Sequence, residues 1–354
     1  MFKPDRALVL VVVLGACAHA PLNPKAVVHQ QRGARMLATD RLDEAEAEFT
    51  LALEYNPRYA DAENGLGLVA FRRGSQRVAA EHFRAALVHD EDHAEAHSNY
   101  GVVMLMREDY PAAERAFRAA LAVDPGFTYA RYNLAFVLLR RGALAEAHAE
   151  LRKVVALAPK MAEARAELGC LLLHLGRRAA AERQLRQALT LDPDLGPARR
   201  CSGVLLRRGG DLAGAEQALR LALESDPTDA DALFELAVTR ILAGRVDEAE
   251  GELRSVVRRR PRFAEAHFVL GHVLHERDRP VEAERHLRRA LALKGRFPAA
   301  HLALGDLLRA RGKREDARRQ YALFLERVPM ELLQQRRRVV EWMRAGEGSR
   351  RAER

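Results

Sequence analysis

Small and apolar residues recur along this chain at a fixed interval, with charged residues between them. Pro57, Pro125, Pro159, Pro193, Pro227, Pro261 and Pro329 fall on one 34-residue lattice, whose two other points hold Glu91 and Gly295. With the lattice proline at position 32, nine repeats begin at Ala26, Ala60, Ala94, Thr128, Ala162, Gly196, Ala230, Ala264 and Pro298. Position 20 is Ala in all nine, from Ala45 to Ala317. Position 8 is Gly33, Gly67, Gly101, Gly169, Gly203, Gly271 and Gly305, with Ala135 and Ala237 in the other two repeats. Position 24 is Phe or Leu until Tyr321.

This pattern predicts two short helices per repeat, A and B. Small residues at positions 8 and 20 let the two backbones approach, and position 24 is the large knob that fills the space beside them. Position 15 closes helix A. It is Gly74, Gly142, Gly176, Gly210, Gly244 and Gly312, with Asp40, Glu108 and Asp278 in the other repeats. Glycine accepts the left-handed conformation that ends a helix. Proline at position 32 stops helix B and pre-sets the entry to the next helix A.

These residues resemble the tetratricopeptide repeat family over residues 26–329. The resemblance implies an all-α, right-handed α-solenoid of nine helix-turn-helix repeats. Stacked repeats bury faces that one helix pair cannot bury alone, so the last repeat needs a cap. Residues 330–345, with Leu332, Leu333, Val339, Val340 and Trp342, read as a capping helix, and 346–354 as a frayed polar tail. Position 4, often Trp in the family, is here His29, Glu63, His97, Arg131, Arg165, Arg199, Leu233, His267 and His301, which predicts looser packing there.

Composition agrees. The chain is rich in Ala, Leu, Arg and Glu and has 6% aromatics, an alphabet of helix formers. Hydrophobic residues make up 48%, which argues against disorder. Net charge is +9, but acidic residues are interleaved with the arginines and no recognition motif accompanies them, so no nucleic acid is expected.

Met1 to Arg6 form a basic stretch, followed by an uncharged run from Ala7 to Ala16, too short to span a bilayer, and then Cys17. Leu14-Gly15-Ala16-Cys17 resembles the lipobox of bacterial lipoproteins, which implies a signal peptide over 1–16, acylation of the Cys17 thiol and a tether over 17–25. Extended, that nine-residue tether reaches about 28 Å. By the same resemblance Ala18, where Asp would imply retention at the inner membrane, implies the periplasmic face of the outer membrane.

Chemistry-like patterns do not survive their context. Gly65-Leu-Gly67 with Ala70 mimics a dinucleotide fingerprint, yet Gly67 sits in mid-helix rather than between strand and helix. His267, His272, His275 and His301 with Asp306 close no ligand set, so no metal and no cofactor are expected. Cys170 and Cys201 allow a disulfide in an oxidising compartment. They lie about one turn out of register on neighbouring helices A, which favours separate thiols. The Arg336-Arg337-Arg338 run reads as a solvated face, with membrane contact the lesser alternative. No catalytic constellation falls outside the repeat pattern, and no enzyme is expected.

In the family, positions 2, 5, 9, 12 and 13 of helix A line a groove. They point to Tyr129, Tyr132, Phe136 and Arg140 in the fourth repeat, and to Arg200, Arg207 and Arg208 in the sixth. The aromatic stretch would hold apolar side chains of a partner peptide and the arginines its acidic ones. The chaperone-tail clamp, which uses Asn at position 9, has no counterpart here. The resemblance implies a protein-binding scaffold, similar to pilotin-type, motility or polysaccharide-export lipoproteins. The alternatives are an adaptor docking cell-wall enzymes and a periplasmic protein binding a small ligand or metal.

Overall fold

The structure, a computed structural model, describes residues 23–326, 328 and 332–352, with side chains as far as Met343. The signal segment and Cys17 lie outside the described residues, as do Pro329 and Met330. Every regular element among the described residues is helical. The chain forms two compact units, one ending at Ala198 and one beginning at Arg199.

In the first unit, α1 (Pro24–Ala38), α3 (Ala60–Arg72), α5 (Ala94–Met106), α7 (Thr128–Arg140) and α9 (Ala162–His174) are the A helices. Their B partners are α2 (Leu42–Tyr55), α4 (Gln76–His89), α6 (Tyr110–Val123), α8 (Leu144–Leu157) and α10 (Arg178–Leu191). Each A helix packs on its own B helix, and the B helices from α2 to α8 pack on the next A helix. Successive A helices also touch from α1 to α7, so they line one side of the stack.

The second unit continues the pattern. Most of α11 (Gly196–Arg208) belongs to it, with α13 (Ala230–Leu242), α15 (Ala264–Glu276) and α17 (Pro298–Ala310) as further A helices. Helices α12 (Leu212–Ser225), α14 (Val246–Arg259), α16 (Pro280–Leu293) and α18 (Arg314–Glu326) are of the B type, and α19 (Leu333–Ala352) follows. Val339 of α19 is buried, and Trp342 meets Tyr321 edge-on at 5.1 Å, so α19 covers the ninth repeat. Arg336 and Arg337 are exposed, while Arg338 reaches Asp306 at 2.7 Å. The helix continues through Gly346 and Gly348 to Ala352, where a frayed tail was expected.

The local reasons are those of the repeat. At position 15, Asp40, Glu108 and Asp278 adopt positive φ of 53° to 60°, beside the six glycines at 73° to 89°. A Cβ added at position 8 would sit 2.5 Å from the Phe83 ring at Gly67 and 2.7 Å from Phe117 at Gly101. The position-24 knob therefore rests directly on the glycine. Burying a Phe there contributes about 1.5–3 kcal/mol.

Position 4 corrects the expectation of loose packing. It carries a polar clasp to position 23 of the same repeat: His29 to Glu48 at 2.7 Å, Glu63 to His82 at 2.7 Å, Arg131 to Glu150 at 2.6 Å and His301 to Gln320 at 2.8 Å. The same side chain often donates to the carbonyl six residues earlier, as Arg165 does to Pro159 at 2.8 Å and His301 to Gly295 at 3.1 Å. That carbonyl lies where helix B has ended and has no helical partner. One residue thus ties A to B and each repeat to the preceding loop. A second ladder joins Glu at position 21 to Arg at position 14 of the next repeat, as Glu46 to Arg73 at 2.6 Å and Glu250 to Arg277 at 2.8 Å.

Cys170 and Cys201 are both disulfide-bonded, which corrects the reading of separate thiols.

Candidate functional site

The groove residues expected from position in the repeat separate sharply once packed. Tyr129, at the start of α7, is 39% exposed. Tyr132, one turn on, is 2% exposed, and Phe136 is buried beside it. Their rings are core, which corrects their assignment to a partner-facing surface. The packed neighbours enclose positions 5 and 9 of this helix and leave position 2 in solvent. The apolar environment and the Glu167 and Glu163 carboxylates drive the Tyr132 hydroxyl far above its ordinary range, so it stays neutral. Arg140 is half-buried, donating to the Tyr110 hydroxyl at 2.9 Å with its guanidinium 5.6 Å from that ring. Met106, at position 13 of the third repeat, is exposed and was overlooked because it belongs to no aromatic cluster.

In the second unit, the arginines expected to receive a partner's acidic groups already face internal carboxylates. Arg200 stands 3.4 Å from Asp229, and Arg207 donates to Glu235. Both pairs are largely buried, so an external carboxylate would have to displace an internal one. Arg208, at the end of α11, is exposed. The signal that could have revealed the pairing is in the sequence. Asp229 and Glu235 follow their arginines by roughly one repeat, and roughly one repeat is one step along the stack.

The histidines considered for metal are engaged separately. His267 and His286 share an Nδ1–Nδ1 hydrogen bond of 2.9 Å in a buried pair, with His267 also bonded to the Pro261 carbonyl at 3.2 Å. Burial, and then the neighbouring His267, push His286 down to about 4. His272 lies 3.4 Å from Glu276. Asp306 accepts from the Tyr321 hydroxyl at 2.6 Å. Among the described residues no three potential metal ligands converge.

His93, before α5, is a strongly perturbed cation of the first unit. Burial opposes its charge, but Asp61 at 3.1 Å and Glu95 at 3.2 Å more than offset that and raise it to about 9. Nearby Tyr59 is pushed up to about 12 by burial and then by Asp61. This cluster ties the ends of the first and second repeats to the third, and it is structural in its surroundings.

Within each unit, polar side chains tie neighbouring repeats together, as Glu46–Arg73 and Glu250–Arg277 do. Tetratricopeptide repeat models match residues 104–156 and 206–271, 36–94, 76–114 and 166–230, and 264–289 and 298–322. The chain belongs to the tetratricopeptide repeat family. No match is found among curated proteins. Solved structures of similar fold include the Cut9–Hcn1 hetero-tetramer of the APC/C, with TM-score 0.63 and 18% identity over 79% of this chain and 55% of that one. The chain thus spans little more than half the length of that relative. The human IFIT1 dimer with m7Gppp-AAAA is similar at TM-score 0.60, 17% identity, 85% of this chain and 77% of that one. Pseudomonas aeruginosa pilF is similar at TM-score 0.54, 20% identity, 59% of this chain and 95% of that one. At these identities the likeness is one of fold.

Proposed function

We propose that this chain is a non-catalytic protein-binding scaffold, lipidated at Cys17 and held on the periplasmic face of the outer membrane. There it supports the assembly or stability of an envelope machine such as a pilus secretin, a gliding-motility complex or a polysaccharide exporter. The observation that carries the reading is the exposure of Tyr129 at the start of α7 and of Met106 at the end of α5, each beside apolar side chains that are buried. Exposed aromatic and Met side chains are enriched in protein-recognition surfaces. The membrane placement rests on the lipobox-like residues before Cys17.

Crosslinking in cells, membrane purification and identification of attached proteins test the reading. Wild type is compared with Tyr129→Ala/Met106→Ala and with Cys17→Ala. Capture of one envelope complex by wild type, lost with the double variant, supports both scaffold and site. Matching profiles for those two proteins place the partner elsewhere on the stack. Unchanged membrane fractionation of Cys17→Ala would remove the lipid anchor from the reading. Capture of no envelope protein at all favours the small-ligand alternative.

A further inference from the structure

The B helices of the first unit end in exposed apolar residues at one repeat position. Tyr55, Val123, Leu157 and Leu191 occupy position 30, with Val88 beside position 30 in the second repeat. All five are exposed, Leu157 at 52% and Val88 at 81%. Exposed prolines Pro57, Pro125, Pro159 and Pro193 follow two residues after the position-30 side chains. Among the described residues the exposed stripe stops after the fifth repeat: position 30 is Ser225 in the sixth, Arg259 in the seventh and a half-buried Leu293 in the eighth.

Helix B ends where helix A begins, so this edge is also the one from which the chain enters α1. Lys25 sits 5.3 Å from the Tyr55 ring, and His29 stacks on that ring at 5.5 Å. Because α1 begins at Pro24, seven residues separate it from the lipid-bearing position, Cys17 included. Seven residues reach at most about 22 Å when extended. The anchored end of the chain therefore emerges beside the first member of the stripe.

We infer that this edge of the first unit lies on the bilayer, with Val88, Val123, Leu157 and Leu191 entering the boundary between headgroups and acyl chains. The inference rests on lipidation of Cys17. Each side chain alone contributes little, but the anchor makes their insertion intramolecular, so weak contacts suffice. The edge also carries Glu91, Asp92, Asp124, Asp192 and Asp194 against Arg58 and Lys160, an acidic excess. That acidity disfavours an anionic surface and fits zwitterionic lipid. The first unit would then rest this edge on the membrane, leaving the far ends of its A helices, Met106 among them, open to a partner.

The test uses the full lipidated protein in phosphatidylcholine vesicles with brominated acyl chains. A Trp342→Phe background carries Val123→Trp, Leu157→Trp or, as a control on the opposite edge, Arg107→Trp. The edge indoles should lose about half their emission, as groups about 5–10 Å deep in the boundary do, while the control is unchanged. Equal emission at all three positions in protein shown by mass to be lipidated overturns this inference and leaves the anchor standing. A chain found unmodified at Cys17 overturns the anchor itself. Shielding of the edge indoles from iodide without lipid, with doubled mass, assigns the stripe to a second copy and also overturns the inference.

Discussion

Gly101→Ala measures how far the repeat depends on contact between its two helices. A Cβ at Gly101 would lie 2.7 Å from Cε1 of Phe117, a ring with no exposed surface. Replacing a mid-helix glycine by alanine should by itself gain about 1 kcal/mol. Pushing a methyl into a packed ring costs about 1–3 kcal/mol, so a net loss of about 1 kcal/mol is expected. The chain carries its own remedy. Where position 8 is Ala135 or Ala237, position 24 is Leu151 or Leu253 rather than Phe. Phe117→Leu alone should cost about 1 kcal/mol through lost apolar burial. The double variant should lose less than the sum of the two, with a favourable coupling of about 1 kcal/mol. Urea unfolding of the four proteins, with hydrogen exchange on α5 and α6 to locate the effect, measures this cycle. A stabilising Gly101→Ala, or strict additivity, would refute the claim that contact between positions 8 and 24 sets the spacing.

Two further outcomes follow from the polar clasps. His286 is held near 4 while an unfolded imidazole titrates near 6.5, so the unfolded chain binds the extra proton between those values. Stability should therefore fall as pH drops from about 6.5 to about 4, by up to about 1.4 kcal/mol per pH unit, and level off below. His286→Gln, which copies the His301–Gln320 pair, should flatten that slope in urea titrations at several pH values. An unchanged slope would assign it to other groups. In the seventh repeat, position 4 is Leu233 and offers Glu252 no clasp; burial raises that carboxyl to about 7, against the pull of Arg240. Between about 4.5 and 7 the folded chain holds this proton and the unfolded chain does not, so Glu252 weakens the fold as pH rises through that window. Glu252→Gln should raise the urea midpoint at pH 8 and leave it nearly unchanged at pH 4. A lower midpoint at pH 8 would show that the Arg240 contact outweighs the burial.

The family, the helix order and each helix stop were legible in the residues because they depend on local chemistry repeated many times. Position 15 is the clearest instance: three acidic residues share the left-handed backbone of six glycines, since the turn imposes the same φ on whatever stands there. The position-8 glycines and their position-24 knobs were legible for the same reason. The clasp between positions 4 and 23 was less so. Its partners stand 19 residues apart and change type from repeat to repeat, so they share no single signature.

The groove was the least legible part. Repeat position says which side of a helix a residue occupies, and by that rule Tyr129, Tyr132 and Phe136 were equivalent. Only stacking decided that Tyr129 reaches solvent while the other two are enclosed, because burial depends on what the neighbouring repeat brings against each ring. Likewise Arg200 and Arg207 read as open cations until packing set Asp229 and Glu235 opposite them. The sequence by itself determined the repeat, its turns and its helix pairing, all settled within 34 residues. The tertiary structure decided which side chains remain for a partner, since exposure is a property of the assembled stack and of no repeat alone.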